Sequence, residues 1–192
     1  MNGFRIAALA LPAASAFLAS ALWAWKPNWK IAVIGVANLV VIVFLWGLLA
    51  GAPMGVLFAV VNLSLSFAFF ALGLSMAAGQ VVSGLAVVLL CSTLFLAPPV
   101  VLDAVRGGGS HAQSRFDTLI SLNPWAVLAA GSFNDDLLRD FPTMYRTQVA
   151  DYVEARPPAW GGVAGGYTLA GLILGAAAWG ARRLRRPSVS AP

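Results

Sequence analysis

The chain has 192 residues, of which 60% are hydrophobic and only 10% charged, with a mean hydropathy of +0.83. A soluble domain carries about 25% charged residues, and a single soluble core of this size cannot hide so much apolar surface, so lipid is the natural solvent and a soluble fold is excluded. The net charge of +5 does not point to nucleic acid, because Arg182, Arg183, Arg185 and Arg186 form one run directly after an apolar segment, which is a membrane-topology signal.

A spanning helix needs about 20 mostly apolar residues. The first candidate is 4–25, rich in Ala and Leu, with Pro12 inside and Trp23 and Trp25 at its end. A cleaved signal peptide is the rival reading, since Arg5, the apolar run and Ala19-Ser20-Ala21 resemble its three regions; the run is long for that. Lys26-Pro-Asn-Trp-Lys30 then breaks the pattern, and an apolar tract follows with no charge until Asp103. Turn-permissive residues at Gly51-Ala-Pro-Met-Gly55 and Met76-Ala-Ala-Gly-Gln80 divide this tract into helices predicted at 31–50, 56–75 and 81–104. A polar stretch covers 106–159, and the last span is predicted over 160–181, followed by a basic tail to 192. The fold class is therefore all-α: a bundle of five transmembrane helices, four of them within residues 1–105.

Charge counting orients the bundle. With the C-terminus in the cytoplasm, the inner loops hold Lys26, Lys30, Arg182, Arg183, Arg185 and Arg186 and no acidic residue. The long loop from Arg106 to Ala159 falls outside and carries five Arg against Asp117, Asp135, Asp136, Asp140, Asp151 and Glu154. This asymmetry obeys the positive-inside rule, with Arg5 the one dissenter.

Gly107-Gly-Gly109 opens the outer loop as a joint. The segment 118–133 is mostly apolar, is interrupted at Asn123-Pro124, and is too short to span twice. It reads as a re-entrant or interfacial hairpin of short helices, formed around Asn123, Pro124 and Trp125, with Pro124 in the first turn of the second helix. Irregular backbone at membrane depth must be covered by protein, so the hairpin is expected to pack over the mouth of the bundle. Asn134 to Arg156 reads as amphipathic and water-facing.

Apart from Arg5 at the start of the first, the spans hold no charged residue before Asp103, which argues against a proton pump or ion-coupled transporter acting through this chain alone. Asp103 and Arg106 lie about one turn apart and read as a local pair. Cys91 is the only cysteine and His111, in a Gly/Ser-rich loop, the only histidine; no zinc spacing, haem attachment or membrane-depth histidine exists, and no cofactor or metal is expected. No nucleophile–base pairing or phosphate cradle occurs, so the chain is not expected to be an enzyme. Asn38, Asn62, Ser64, Ser66, Ser83, Ser92 and Thr93 are polar groups within the spans, suited to helix–helix contacts; Asn62, Ser66 and Gly73 lie near one helical face and allow a polar seam. Pro98-Pro99 should kink the fourth span. The last span carries Gly161-xxx-Gly165, Gly162-xxx-Gly166 and Gly171-xxx-Gly175, a pattern for close helix packing, with Trp160 and Trp179 as interface anchors.

The run Ser121-Leu-Asn-Pro-Trp-Ala-Val-Leu128, a short acidic helix, Met144-Tyr-Arg146, Val149-Ala-Asp-Tyr152, Pro157-Pro-Ala-Trp160 and a closing span ending in Arg182-Arg-Leu-Arg-Arg186 resembles the C-terminal portion of permease subunits of ABC type-2 exporters. The resemblance covers about 31–186 in architecture and mainly 118–186 in sequence. It implies an outer re-entrant hairpin between the last two spans, a cytoplasmic basic tail, a second permease chain as partner and ATP hydrolysis on a separate cytosolic ATPase. Members of that family have six spans and a cytoplasmic entry helix, so the resemblance also implies that the first span and entry helix are missing here. The short Lys26–Lys30 turn would stand where the family contacts its ATPase. The alternative left open is a structural or accessory subunit of a larger membrane complex, respiratory or photosynthetic, with the outer loop and glycine-rich last helix as docking surfaces.

Overall fold

In the computed structural model of the chain, residues 2–106, 112–133 and 159–184 are described. They form α1 (Asn2–Trp25), α2 (Trp29–Leu49), α3 (Met54–Ala78), α4 (Gln80–Arg106), α5 (Ala112–Ser121), α6 (Pro124–Phe133) and α7 (Trp160–Leu184), with no strand among them. The calls on His111, Gly107–Gly109, the acidic and amphipathic stretch 134–156, and Arg185 and Arg186 lie outside the described residues.

Each helix boundary follows from local chemistry. Between α1 and α2 the chain turns at Pro27-Asn28; Asn28 is extended (φ −132°) and its side chain accepts from Lys30 N at 3.0 Å, capping α2. Gly51 (φ 73°) and Pro53 separate α2 from α3, and Gly79 (φ 94°) separates α3 from α4. These two glycines occupy the left-handed region that a side chain would strain.

Four helices, α1, α2, α3 and α7, are long and apolar enough to cross a membrane. The fifth long helix, α4, has 27 residues, and its sequence carries no charge before Asp103. It runs as one helix through Pro98 and Pro99, so the expected kink at these prolines is not a break in the helix.

The side-chain distribution is that of a protein in lipid. Large apolar groups face outward, including Ile34, Ile42, Leu45, Leu169, Leu172 and Ile173, while Ser15, Ser20, Ser64, Ser66, Ser75 and Ser83 are buried inside. Water would impose the reverse. Together with the long apolar helices, this makes the chain an integral membrane protein.

α3 is the axis of the bundle. It packs most extensively on α7 and α1, and also against α2, α4 and α6. More than half of its most apolar window is buried (56%), against 22% for α7. Gly47 of α2 lies against both Phe4 and Leu57, and Gly35 against Leu22. The start of α1 thus lies beside the end of α2 and the start of α3, which makes α1 and α3 parallel and α2 antiparallel to both. Arg182, near the end of α7, reaches Met76 near the end of α3, so α7 runs parallel to α3. Lys26, Lys30 and Arg182 therefore share one end of the bundle.

The α3–α7 seam depends on two glycines. A Cβ on Gly73 would strike the Gly171 carbonyl oxygen, and a Cβ on Gly171 would lie 2.6 Å from the Phe69 carbonyl oxygen. Backbone touches backbone there. Of the four glycines singled out for packing, Gly171 is the one in close contact among the described residues, where Gly161, Gly165 and Gly175 meet nothing within 4 Å. The small-residue pattern marks where close approach is possible and does not say where it occurs.

Candidate functional site

The most constrained part of the molecule is the turn between α5 and α6. α6 starts at Pro124, whose ring fixes the backbone dihedral of a first helical residue and which has no N–H to leave unpaired. Asn123 is its N-cap: Oδ1 accepts from Trp125 N (2.9 Å) and Ala126 N (3.1 Å), while Asn123 O accepts from Val127 N (3.2 Å). The first turn of α6 therefore leaves no backbone donor unmatched, a requirement wherever water is excluded.

The other half of the Asn123 amide binds α4. Nδ2 donates to Cys91 O (3.0 Å), Thr93 Oγ1 (3.2 Å) and, more weakly, Leu90 O (3.3 Å). Two N–H groups are shared among three acceptors. Thr93 Oγ1 in turn donates to Leu90 O at 2.8 Å. On the opposite side, the Tyr167 hydroxyl of α7 donates to Leu122 O, and Ser121 Oγ closes Thr118 O at 2.8 Å. The end of α5 and the start of α6 are thus satisfied by side chains from α4, α7 and the hairpin itself.

The depth of this turn follows from helix rise. At 1.5 Å per residue, Tyr167 lies about 10 Å along α7 from Trp160, and Cys91 about 17 Å along α4 from Gln80. The turn sits within the height of the bundle. Asn123, Val127, Leu128 and Ala129 are fully buried, and α6 touches α1, α3, α4 and α7. At the far end of α6, Phe133 packs edge-on against Phe4 (6.5 Å) and lies under the Arg5 guanidinium (5.6 Å). Arg5, the dissenter in the charge count, stands at this end of the bundle.

Two polar atoms of α6 remain unmatched: Trp125 Nε1 and Ser132 Oγ are buried without a hydrogen-bond partner, as are Ser15 Oγ and Ser64 Oγ elsewhere among the described residues.

A second polar group lies near the basic end. Ser75 Oγ donates to Ser20 Oγ (3.0 Å), and Ser83 Oγ donates to Ala71 O (2.8 Å). Because a hydroxyl has one proton, the 2.9 Å contact between Ser20 and Ser83 must be donated by Ser20. Three hydroxyls thus form one directed chain joining α1, α3 and α4. The polar seam expected on α3 divides. Ser66 pairs with Thr168 of α7 at 3.0 Å and Gly73 meets Gly171, whereas Asn62 is exposed and bonds its own helix at Phe58 O.

Lys26, Lys30 and Arg182 are exposed at one end, where Arg182 lies over Trp23 at 5.3 Å. Among the described residues, no group of His, Cys, Asp and Glu is placed to hold a metal. Sequence reasoning placed Asn123 in the hairpin but missed its bond to α4, and missed Tyr167, Ser20 and Ser75 entirely; no local pattern marks them, since their partners lie between 32 and 63 residues away. Comparison with family models, curated proteins and solved structures gave no significant match.

Proposed function

We propose that the chain is a five-span membrane subunit of an exporter, resembling the permease of ABC type-2 systems. In this reading α4 is the fourth of the five spans, the hairpin lies on the outer side, and the C-terminus is in the cytoplasm of a bacterial inner membrane. The chain carries no catalytic residue itself; ATP hydrolysis belongs to separate cytosolic subunits, and a second permease chain completes the pathway.

The observation that carries this reading is the α5–α6 hairpin, set between the last two long helices with its turn buried beside Cys91 and Tyr167. Non-helical backbone at that depth is tolerated where protein covers it or where it borders a polar cavity. The unmatched Trp125 Nε1 and Ser132 Oγ on the same helix fit a hairpin that borders a polar path or a partner.

A specific observation favours the second reading, a structural or accessory subunit of a larger membrane complex. Gly161, Gly165 and Gly175 of α7 meet nothing within 4 Å among the described residues, and glycine faces admit close helix partners. One experiment separates the two: recover the tagged protein in mild detergent and identify by mass spectrometry what comes with it. Co-purification of a nucleotide-binding ATPase supports the exporter. A stable redox or light-harvesting assembly without an ATPase sinks it and leaves a scaffold.

A further inference from the structure

Beyond the tip of the glycine seam, α3 and α7 enclose a hollow of about 140 Å³ lined by Met76, Ala77, Ala178, Ala181 and Arg182. We propose that this hollow is a binding site for the phosphate headgroup of an anionic phospholipid, with its acyl chains lying on the exposed apolar flank of α7. The site stands apart from the exporter reading and requires only that the chain sits in a membrane.

Three features of the hollow converge on that ligand. The first is shape. The helices touch at Gly73 and Gly171, and beyond that contact the hollow lies between Met76 and Ala77 of α3 and Ala178, Ala181 and Arg182 of α7. The second is a held cation. Arg182 Nη2 donates to Met76 O at 3.4 Å, and its guanidinium plane lies 5.3 Å from the Trp23 ring centroid. A guanidinium has five N–H donors in a planar fork suited to phosphate; the long bond to Met76 uses one. The third is position. Trp23, Trp25, Trp29 and Trp179 ring this end of the bundle and are half-buried or exposed. Tryptophans gather at headgroup level.

Charge complementarity selects the occupant. Arg182 lines the hollow, and no acidic residue lies near it in sequence. Basic pockets between transmembrane helices suit anionic lipid headgroups. Leu172, Ile173 and Trp179 are exposed on α7 and give the acyl chains an apolar surface, which a free phosphate would not use.

The test is native mass spectrometry of the full chain in detergent, titrated with phosphatidylglycerol, phosphatidylcholine or inorganic phosphate. The wild type should retain phosphatidylglycerol about fivefold more strongly than phosphatidylcholine, the effect of one well-placed basic residue. Arg182→Gln should abolish that preference. Ala181→Leu keeps every charge and fills the hollow from an exposed position, and it too should abolish the preference. Lys30→Gln, which removes an equal charge away from the hollow, should leave it nearly unchanged. The proposal is overturned if Ala181→Leu binds phosphatidylglycerol as the wild type does, if Lys30→Gln weakens binding as much as Arg182→Gln, or if inorganic phosphate at equal concentration displaces the lipid.

Discussion

Gly171 and Gly175 stand one turn apart on α7 and belong to the same small-residue pattern, yet they live in different surroundings. Gly171 lies on the backbone of α3 and has no room for a methyl group, while Gly175 meets nothing within 4 Å among the described residues. Without a hydrophobic driving force between helices in lipid, close packing at sites like Gly171 supplies much of the association energy. A glycine on the open face contributes none of this within the chain. The comparison shows that a glycine motif marks where a helix can be approached closely, and that only three-dimensional packing says by what.

The contrast can be broken from the Gly171 side. Gly171→Leu forces side-chain atoms into the Phe69 carbonyl and should destabilise the bundle by about 3 kcal/mol, the upper part of the overpacking range; loss of a monodisperse peak in detergent, or a large fall in thermal midpoint, would register it. A normal elution profile and midpoint would mean that the α3–α7 seam is looser than described.

Next in size comes Asn123→Leu. It keeps roughly the side-chain volume and leaves Trp125 N and Ala126 N without their cap, at a cost of about 2–3 kcal/mol for buried donors left unmatched. Since Cys91 is the only cysteine and is buried beside this turn, it reports on the hairpin directly. Maleimide labelling of Cys91 should speed up in the Asn123 variant, and unchanged labelling would show that apolar packing alone holds the hairpin.

The hydroxyl chain gives a smaller, ordered effect. Ser20→Ala removes the acceptor of Ser75 and the donor to Ser83, so it should cost about 1 kcal/mol, whereas Ser75→Ala ends the chain one link early and should cost about 0.6 kcal/mol, near the average for such bonds in membranes. Equal losses in an unfolding titration would contradict the directed chain. The smallest effect belongs to the open face: Gly175→Ala should change the stability of the isolated chain by less than about 0.5 kcal/mol. If the same variant lowers recovery of a partner in the pull-down, the open face is a docking surface; full recovery would leave it to lipid.

Much of the bundle is legible in the sequence because lipid enforces a simple rule: long apolar runs become helices, and turns fall where glycine, proline or charge interrupts them. The second helix, expected at 31–50, spans 29–49. Pro124 marks the start of α6 because proline suits the first turn of a helix. What the sequence does not carry is rotation about each helix axis. Residues in spans are apolar on all sides, so periodicity cannot tell the exposed Asn62 from the buried Ser64, or Gly175 from Gly171. The bonds of Asn123 to Cys91 and of Tyr167 to Leu122 join residues 32 and 45 positions apart, and such pairings have no local trace. The fourth helix is the hardest to read, because Pro98 and Pro99 interrupt its apolar run and Asp103 and Arg106 follow close behind.

The two anchors of the hairpin turn become available at different times in the life of the chain. Synthesis proceeds from the N-terminus, so α4 is already in place when Asn123 emerges, and the amide can bind Cys91 and Thr93 at once. Tyr167, which closes Leu122 O, is made later and is brought alongside only when α7 has entered the membrane. The hairpin is therefore half-secured during biogenesis and fully locked at its end, which makes the arrival of the last helix the step that completes the fold.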